Sequence, residues 1–292
     1  MKIMKNFKTY LLTAIAALIL VTTFTSCNKD EAGVFNPKKK ISQIYYKDYD
    51  GQEYLTEQWT WDGDLLTKVD FYEEGQQVGF ETYEYVDNKL NKVIDNYLYY
   101  SLYTYDENKN YSKIEYYDDN GTLVSDITFQ YTNEKVSQMS ITTYSVTKQF
   151  FTMLKRSFIG KMLPVKEMDL MVKEIKKNQA NNAKSTTNIV LVYDGDNIST
   201  LTVGNYITTF TNYDQYKNPM YFYFPFSNYN ETTNTNVFNA NNPGTMSTSY
   251  AGIDVVTTYT YTYDGDYPTY VQSTIGSSGQ SITTTTRLVY LD

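Results

Sequence analysis

Two pairs of adjacent carboxylates, Glu73-Glu74 and Asp118-Asp119, could in principle do chemistry, as could three triplets, Asp62-Gly63-Asp64, Asp194-Gly195-Asp196 and Asp264-Gly265-Asp266. Two carboxylates at the right separation hydrolyse glycosides, and clustered carboxylates bind calcium. The sequence argues against both. Adjacent residues on a strand point to opposite faces, and all four paired carboxylates sit in turn-like contexts. Each triplet offers only two carboxylates, and none continues into the ligand spacing of a calcium loop. The chain has no histidine, the usual general base and metal ligand near neutral pH. No catalytic, cofactor-binding or metal-binding residue is assigned, and the sequence reads as that of a non-catalytic protein.

The remaining reactive side chain is the single cysteine, Cys27, which excludes an internal disulfide framework and a thiolate zinc cluster. Upstream of it lie Lys2, Lys5 and Lys8, then the apolar run Leu11 to Val21, then Thr25-Ser26. That is the charged, apolar and small-residue order of a secretory signal, with an apolar run too short for a comfortable membrane span. Phe24-Thr25-Ser26-Cys27 resembles the lipobox of bacterial lipoproteins, which implies that residues 1–26 are removed and Cys27 is acylated. Asn28-Lys29-Asp30-Glu31 is similar to the export tag that takes Bacteroidetes lipoproteins to the outer face of the outer membrane. Residues 27–39 then form a tether, and the membrane is a partner through the lipid anchor. Loss of residues 1–26 leaves 22 basic against 33 acidic residues, a formal charge of −11. Such an acidic surface disfavours nucleic acid and anionic membranes as ligands.

The elements that carry these residues are strands. Thirty-two tyrosines in 292 residues suit surfaces half buried and half wet. An aromatic residue recurs at the entry to a tight turn, in Trp61-Asp62, Tyr85-Val86, Tyr105-Asp106, Tyr131-Thr132, Tyr193-Asp194, Tyr213-Asp214 and Tyr263-Asp264. After each turn comes an apolar residue and another three further on, as in Leu66 and Val69, Leu90 and Val93, or Ile198 and Leu201. A second set of turns, at Asp50-Gly51, Glu74-Gly75, Asn120-Gly121 and Ser278-Gly279, joins the units. Thr258, Thr260 and Thr262 alternate with Tyr259, Tyr261 and Tyr263, giving one polar and one aromatic face. The polar face cannot meet lipid, so the tyrosines are expected to point inward.

The pattern predicts a single all-β domain over residues 40–292, an antiparallel up-and-down meander of roughly 14–16 strands. A sheet that wide curls or closes. The repeat resembles the tyrosine-aspartate repeats of large bacterial surface and toxin-shell proteins. It is more similar to a Bacteroidetes lipoprotein family of unknown function with a porin-like fold, which shares the lipoprotein start, the length and the Tyr-x-Tyr-Asp hairpins. That resemblance implies a barrel and carries no functional residues; Val86 and Thr132 depart from its Asp position.

Two stretches interrupt the repeat. Over Thr147–Asn178, Phe150, Leu154, Phe158 and Met162, then Val165, Met168, Val172 and Ile175, have helical spacing and predict a two-helix insertion. Its eight basic and three acidic residues suit a plug or cap for the barrel, or a contact with a partner. Asn228–Gly244, rich in Asn and Thr, is expected to be a long exposed loop able to contact sugars. Address and composition point to a surface binding protein for a glycan or other nutrient. The alternatives are an envelope assembly component acting through the insertion and a carrier of an apolar ligand inside the barrel. The sequence assigns no ligand-binding residue and no oligomeric state. A Cys27→Ala chain is expected to lose metabolic labelling by palmitate and to leave the membrane fraction; retention of the label would refute acylation at this position.

Overall fold

The computed structural model describes residues 39–47, 51–144, 184–219, 221, 238–250, 253–277 and 280–291. Cys27, the signal segment, the helical insertion expected over Thr147–Asn178 and the first part of the Asn228–Gly244 stretch lie outside them. The described residues contain no helix. They form sixteen strands in one closed antiparallel barrel, each strand hydrogen-bonded to its neighbours in the sequence and the last to the first. The order is β1 (Ile41–Lys47), β2 (Glu53–Asp62), β3 (Leu65–Glu73), β4 (Gln76–Val86), β5 (Lys89–Asp95), β6 (Tyr100–Tyr105), β7 (Tyr111–Tyr117) and β8 (Leu123–Thr132). It continues with β9 (Lys135–Thr143), β10 (Ser185–Asp194), β11 (Asn197–Val203), β12 (Tyr206–Thr211), β13 (Thr245–Tyr250), β14 (Ile253–Asp264), β15 (Tyr267–Ser277) and β16 (Gln280–Tyr290). Closure leaves no sheet edge to pair with another chain.

The meander puts the aromatic-Asp turns at one end of the barrel, together with Lys40 and Tyr290. Gly63, Gly195 and Gly265, with φ of 55°, 57° and 60°, open the two-residue hairpin loops of the Asp-Gly-Asp triplets. Asp87-Asn88 and Asn133-Glu134 have positive φ at both central positions, the geometry that matches strand twist. Tyr213-Asp214 is the exception to the expected tight turns: it leads into the long connection between β12 and β13. Gly244 closes the neck of that connection, where a Cβ would lie 2.6 Å from the carbonyl oxygen of Asn212.

The recurring spacing of three between apolar residues has a physical cause. In every tight hairpin at this end the returning strand carries one extra residue, a β-bulge: Trp61 faces Leu66 but Thr60 faces Lys68, leaving Thr67 unpaired in register. The same holds for Asn91, Ser112, Ser137, Ser199 and Thr269. The bulge turns a spacing of three into two inward positions, so Leu66 and Val69 both reach the core. Most bulged residues are hydroxylic, and four lock themselves by donating to a carbonyl on the outgoing strand: Thr67 to Thr60 (3.1 Å), Ser137 to Gln130 (3.3 Å), Ser199 to Val192 (3.1 Å) and Thr269 to Thr262 (3.2 Å).

The turn-entry aromatic has a second task. Between neighbouring hairpins the ladder stops early: β3 and β4 pair only as far as Lys68 and Thr82, which leaves the Leu66 carbonyl beyond the last pair. The Tyr85 hydroxyl donates to it at 2.7 Å. The arrangement repeats with Tyr105 and Leu90 (2.5 Å), Tyr131 and Tyr111 (2.8 Å), Tyr213 and Ile198 (2.7 Å), Tyr261 and Pro243 (2.8 Å) and Tyr290 and Pro268 (2.7 Å). Trp61 does the same through its indole N–H, 2.7 Å from the Ile41 oxygen. Each bond supplies a side-chain donor to a carbonyl at the edge of the core, and contributes about 1 kcal/mol net.

Inward side chains form one continuous buried cluster that includes Trp59, Leu66, Phe71, Tyr83, Tyr103, Tyr111, Ile114, Met139, Leu191, Tyr259 and Leu288. Burial pushes the Tyr83, Tyr103 and Tyr111 hydroxyls well above their usual titration range. Towards the opposite end the interior becomes polar, with Glu57, Glu81, Ser101, Ser125, Thr208, Thr257, Ser273 and Thr286 all buried. Glu57 and Glu81 are satisfied locally, accepting from Trp59 Nε1 (2.8 Å) and the Tyr83 hydroxyl (3.0 Å) two residues on. Outward positions instead carry Gln58, Thr60, Lys68, Asp70, Glu84, Thr128, Gln130, Thr258 and Thr260. Tyr45, Tyr100, Tyr117 and Tyr270 break the inward rule and lie on this outer face. Tyr105→Phe, which removes only the hydroxyl, is expected to lower unfolding stability by about 1–2 kcal/mol in urea titration. Thr104→Val, on the exposed face of the same strand, should change it by less than about 0.5 kcal/mol. Equal effects would mean that the tyrosine-to-carbonyl bond does not contribute.

Candidate functional site

The carboxylate pairs of the sequence do not come together into a site. Asp118 Oδ1 accepts from the backbone N–H of Asn120 (3.0 Å) and Thr122 (2.7 Å), so it shapes the β7–β8 turn, and Asp119 accepts from the Asn120 amide (3.0 Å). Glu73 and Glu74 are exposed at the β3–β4 turn, where Glu74 has a φ of 47°. In the Asp-Gly-Asp triplets the second Asp meets a lysine: Lys40 with Asp64 (2.7 Å), Lys135 with Asp196 (2.9 Å) and Lys217 with Asp266 (3.3 Å). Lys40 and Lys135 also donate to the glycine carbonyls of Gly63 (2.7 Å) and Gly195. Turn and lysine thus form a clasp between hairpins.

The expected exposed loop over Asn228–Gly244 is corrected in its described part. Asn239 and Asn242 are fully buried. Asn239 Oδ1 accepts from the Ile198 N–H (2.6 Å), and Asn242 Nδ2 donates to Asp214 Oδ2 (3.2 Å) and the Lys217 carbonyl (3.3 Å). Asn197 and Asn241 exchange two bonds of 3.0 and 2.9 Å. Tyr263 donates to Asp214 and stacks on Tyr216 with centroids 4.0 Å apart. Short amide side chains here replace a ladder that the long connection cannot make.

A groove of about 720 Å³ lies at the same end, over the seam where β16 closes on β1. Lys39 and Lys40, just before β1, and Asp64 and Asp264, from two hairpin turns, form its lip. Thr269 and Tyr270 on β15 and Arg287 to Leu291 on β16 and beyond form its wall. Lys39 meets Asp264 at 3.1 Å and lies 5.5 Å from the Tyr290 ring centre; Lys40 meets Asp64 and lies 6.0 Å from that of Trp61. On the outer face Arg287 pairs fork to fork with Glu53, Nε to Oε1 at 3.0 Å and Nη2 to Oε2 at 2.6 Å. Its guanidinium lies 3.9 Å from the Tyr45 ring centre. The bond from Arg287 holds the Glu53 carboxyl below the usual glutamate range and raises the guanidinium.

Register places Thr262, Tyr270, Arg287 and Tyr45 side by side across β14, β15, β16 and β1. Tyr270 is 43% exposed, one of the most open tyrosines among the described residues. The groove therefore offers an aromatic surface beside planar donors and acceptors. Sequence reasoning missed it because its residues come from both ends of the chain. The available signal was Arg287, one of two arginines in the sequence, set alone after four threonines.

The sequence matches no protein-family model and no curated protein. Among solved structures, the fold is similar to that of a porin-like protein from Bacteroides uniformis, with a TM-score of 0.52 and 14% identity over 89% of this chain and 100% of that one. A porin-like protein from Bacteroides vulgatus also matches, with a TM-score of 0.34 and 8% identity over 87% of this chain and 99% of that one, too loosely to support an argument. The first likeness shows the fold alone, a porin-like barrel.

The depressed Glu53 carboxyl links the seam to pH. Its contribution is present above the ordinary glutamate range and is lost as pH falls through the lowered folded-state value. Urea unfolding from pH 7 to pH 3, roughly spanning the carboxylate range, is expected to show a shallower acid loss of stability in Glu53→Gln than in the parent chain. Parallel curves would exclude a role for this pair.

Proposed function

We propose that the chain is a non-catalytic, lipid-anchored binding protein of the outer membrane, taking a glycan or other nutrient at the seam groove. The single observation that carries this reading is the pairing of a buried aromatic interior with a groove on the outside lined by an open tyrosine and by Arg287, whose guanidinium is forked to Glu53 beside the groove. A spanning channel has the opposite polarity, with an apolar band facing lipid and a wet lumen. Here Lys68, Asp70, Glu84 and a field of threonines face outward, with Val190, Val192 and Ile207 among the outward residues, and this mixed face supports a barrel that works outside the hydrocarbon layer. Many of the described inward side chains bury one another, which weighs against the apolar-carrier alternative. The signal segment and Cys27 supply the proposed anchor, and the export-tag resemblance favours the cell-exposed face.

The test is affinity electrophoresis of the full chain, purified in detergent, through gels containing each of a panel of soluble polysaccharides. Retardation by at least one, lost in Tyr270→Ala, is expected. A folded chain retarded by none would sink the glycan reading.

A further inference from the structure

The charges around the groove cancel in pairs. Lys39 is held by Asp264, Lys40 by Asp64 and Arg287 by Glu53, at 3.1, 2.7 and 2.6 Å, so three cations meet three carboxylates. An acidic ligand would have to pull a lysine or the arginine from its partner, and would approach a chain whose net charge is −11 without residues 1–26. A cationic ligand would have to do the reverse. A ligand with uncharged hydroxyls breaks neither pair: each hydroxyl both donates and accepts, and an Arg–carboxylate fork presents both functions in one plane.

The outer face extends this character. The row Thr262–Tyr270–Arg287–Tyr45 runs across the strands, and beside it lie Thr260–Gln272–Thr285 and Thr258–Thr274–Thr283, uncharged from β14 to β16; on β1 the first of these continues into Lys47, beside Glu53. Tyr270 and Tyr45 flank Arg287 two inter-strand steps apart, about 9.6 Å, a span that accommodates two linked pyranose rings. Tyr270 presents its ring openly, whereas the Tyr45 ring is covered on one face by the guanidinium.

We propose that the seam groove takes an uncharged, extended oligosaccharide, with one sugar ring on Tyr270 and its neighbour's hydroxyls on the Arg287–Glu53 fork, the chain continuing over the threonine rows. This rests on the binding role proposed above and narrows it to one class of ligand. Arg287 acts here as a ligand contact, and Glu53 as the residue that positions it.

The experiment compares retardation of the full chain in detergent by a neutral polymer, soluble xylan or mixed-linkage β-glucan, and by polygalacturonate, at about 0.05 and about 0.5 M salt. Neutral polymer is expected to retard the chain equally at both salts. Tyr270→Ala and Arg287→Lys should each weaken the interaction about tenfold. The Asp64→Asn/Asp264→Asn double variant removes the carboxylates that Lys39 and Lys40 meet and should gain salt-sensitive retardation by polygalacturonate that the parent lacks. Asp64 and Asp264 are 73% and 75% open, Arg287 is half-buried, and thermal unfolding checks that each variant is folded. Salt-sensitive retardation of the parent by polygalacturonate, lost in Tyr270→Ala, would overturn the neutral class but leave the binding role standing. Neutral binding that survives both Tyr270→Ala and Arg287→Lys would overturn the placement. Absence of retardation by either polymer would overturn the proposal together with the glycan reading.

Discussion

A tyrosine hydroxyl donating to a carbonyl that the sheet has left unpaired is the contact on which this barrel depends. Strands that tilt and carry bulges do not keep their ladders in step to the rim, and at seven boundaries between hairpins a carbonyl near the last pair accepts from a turn-entry aromatic; Tyr193, at the β9–β10 boundary, shows no such bond among the described residues. Buried against the aromatic interior, such an oxygen costs about 1–3 kcal/mol if left alone. Tyr85, Tyr105, Tyr131, Tyr213, Tyr261 and Tyr290 each reach across the boundary to supply the missing donor, and Trp61 does so with its indole. Phenylalanine would fill the same space without the bond. The abundance of tyrosine is therefore a requirement of the backbone as much as of the core.

The same end of the barrel carries a set of lysines over its rim. Lysines sit over the turn-entry rings, Lys89 at 4.9 Å from the Tyr105 centroid and Lys135 at 5.3 Å from that of Tyr193, and the latter also clasps the neighbouring turn. Ring, hydroxyl, bulge and clasp form one unit, repeated with variation around the rim. The variation is where the groove arises. At the seam the two partners are not consecutive hairpins but the first and last strands, and the lysines come from the approach to β1 rather than from a turn.

Much of this could be read from the residues alone. The alternation of Tyr259, Tyr261 and Tyr263 with threonines specified which face is buried, and the Asp-Gly-Asp turns specified the hairpins. The spacing of three between Leu66 and Val69 was visible without its meaning, because a bulge appears only once the facing register Trp61–Leu66 and Thr60–Lys68 is known. Asn239 and Asn242 read as loop because their composition is that of solvated turns; their burial depends on Asp214 and Ile198, distant in sequence. The groove was illegible for the same reason. Arg287 gains its character from Glu53 and Tyr45, and nothing local to it marks either.

Closure by the terminal strands also bears on how the protein is made. Ser42 bonds to the Val289 carbonyl across 247 residues of sequence, and Ile41 lies opposite Tyr290. Contacts at that separation carry the largest loop-closure entropy in the chain and form late. Until they form, β1 and β16 are both open edges, the state most prone to pair with the wrong chain. The groove, whose wall comes from β15 and β16 and whose lip comes from the residues just before β1 and two hairpin turns, comes into being only at that final step. A molecule competent to bind is thus one that has finished folding, and an incompletely closed barrel presents no such groove to compete for ligand.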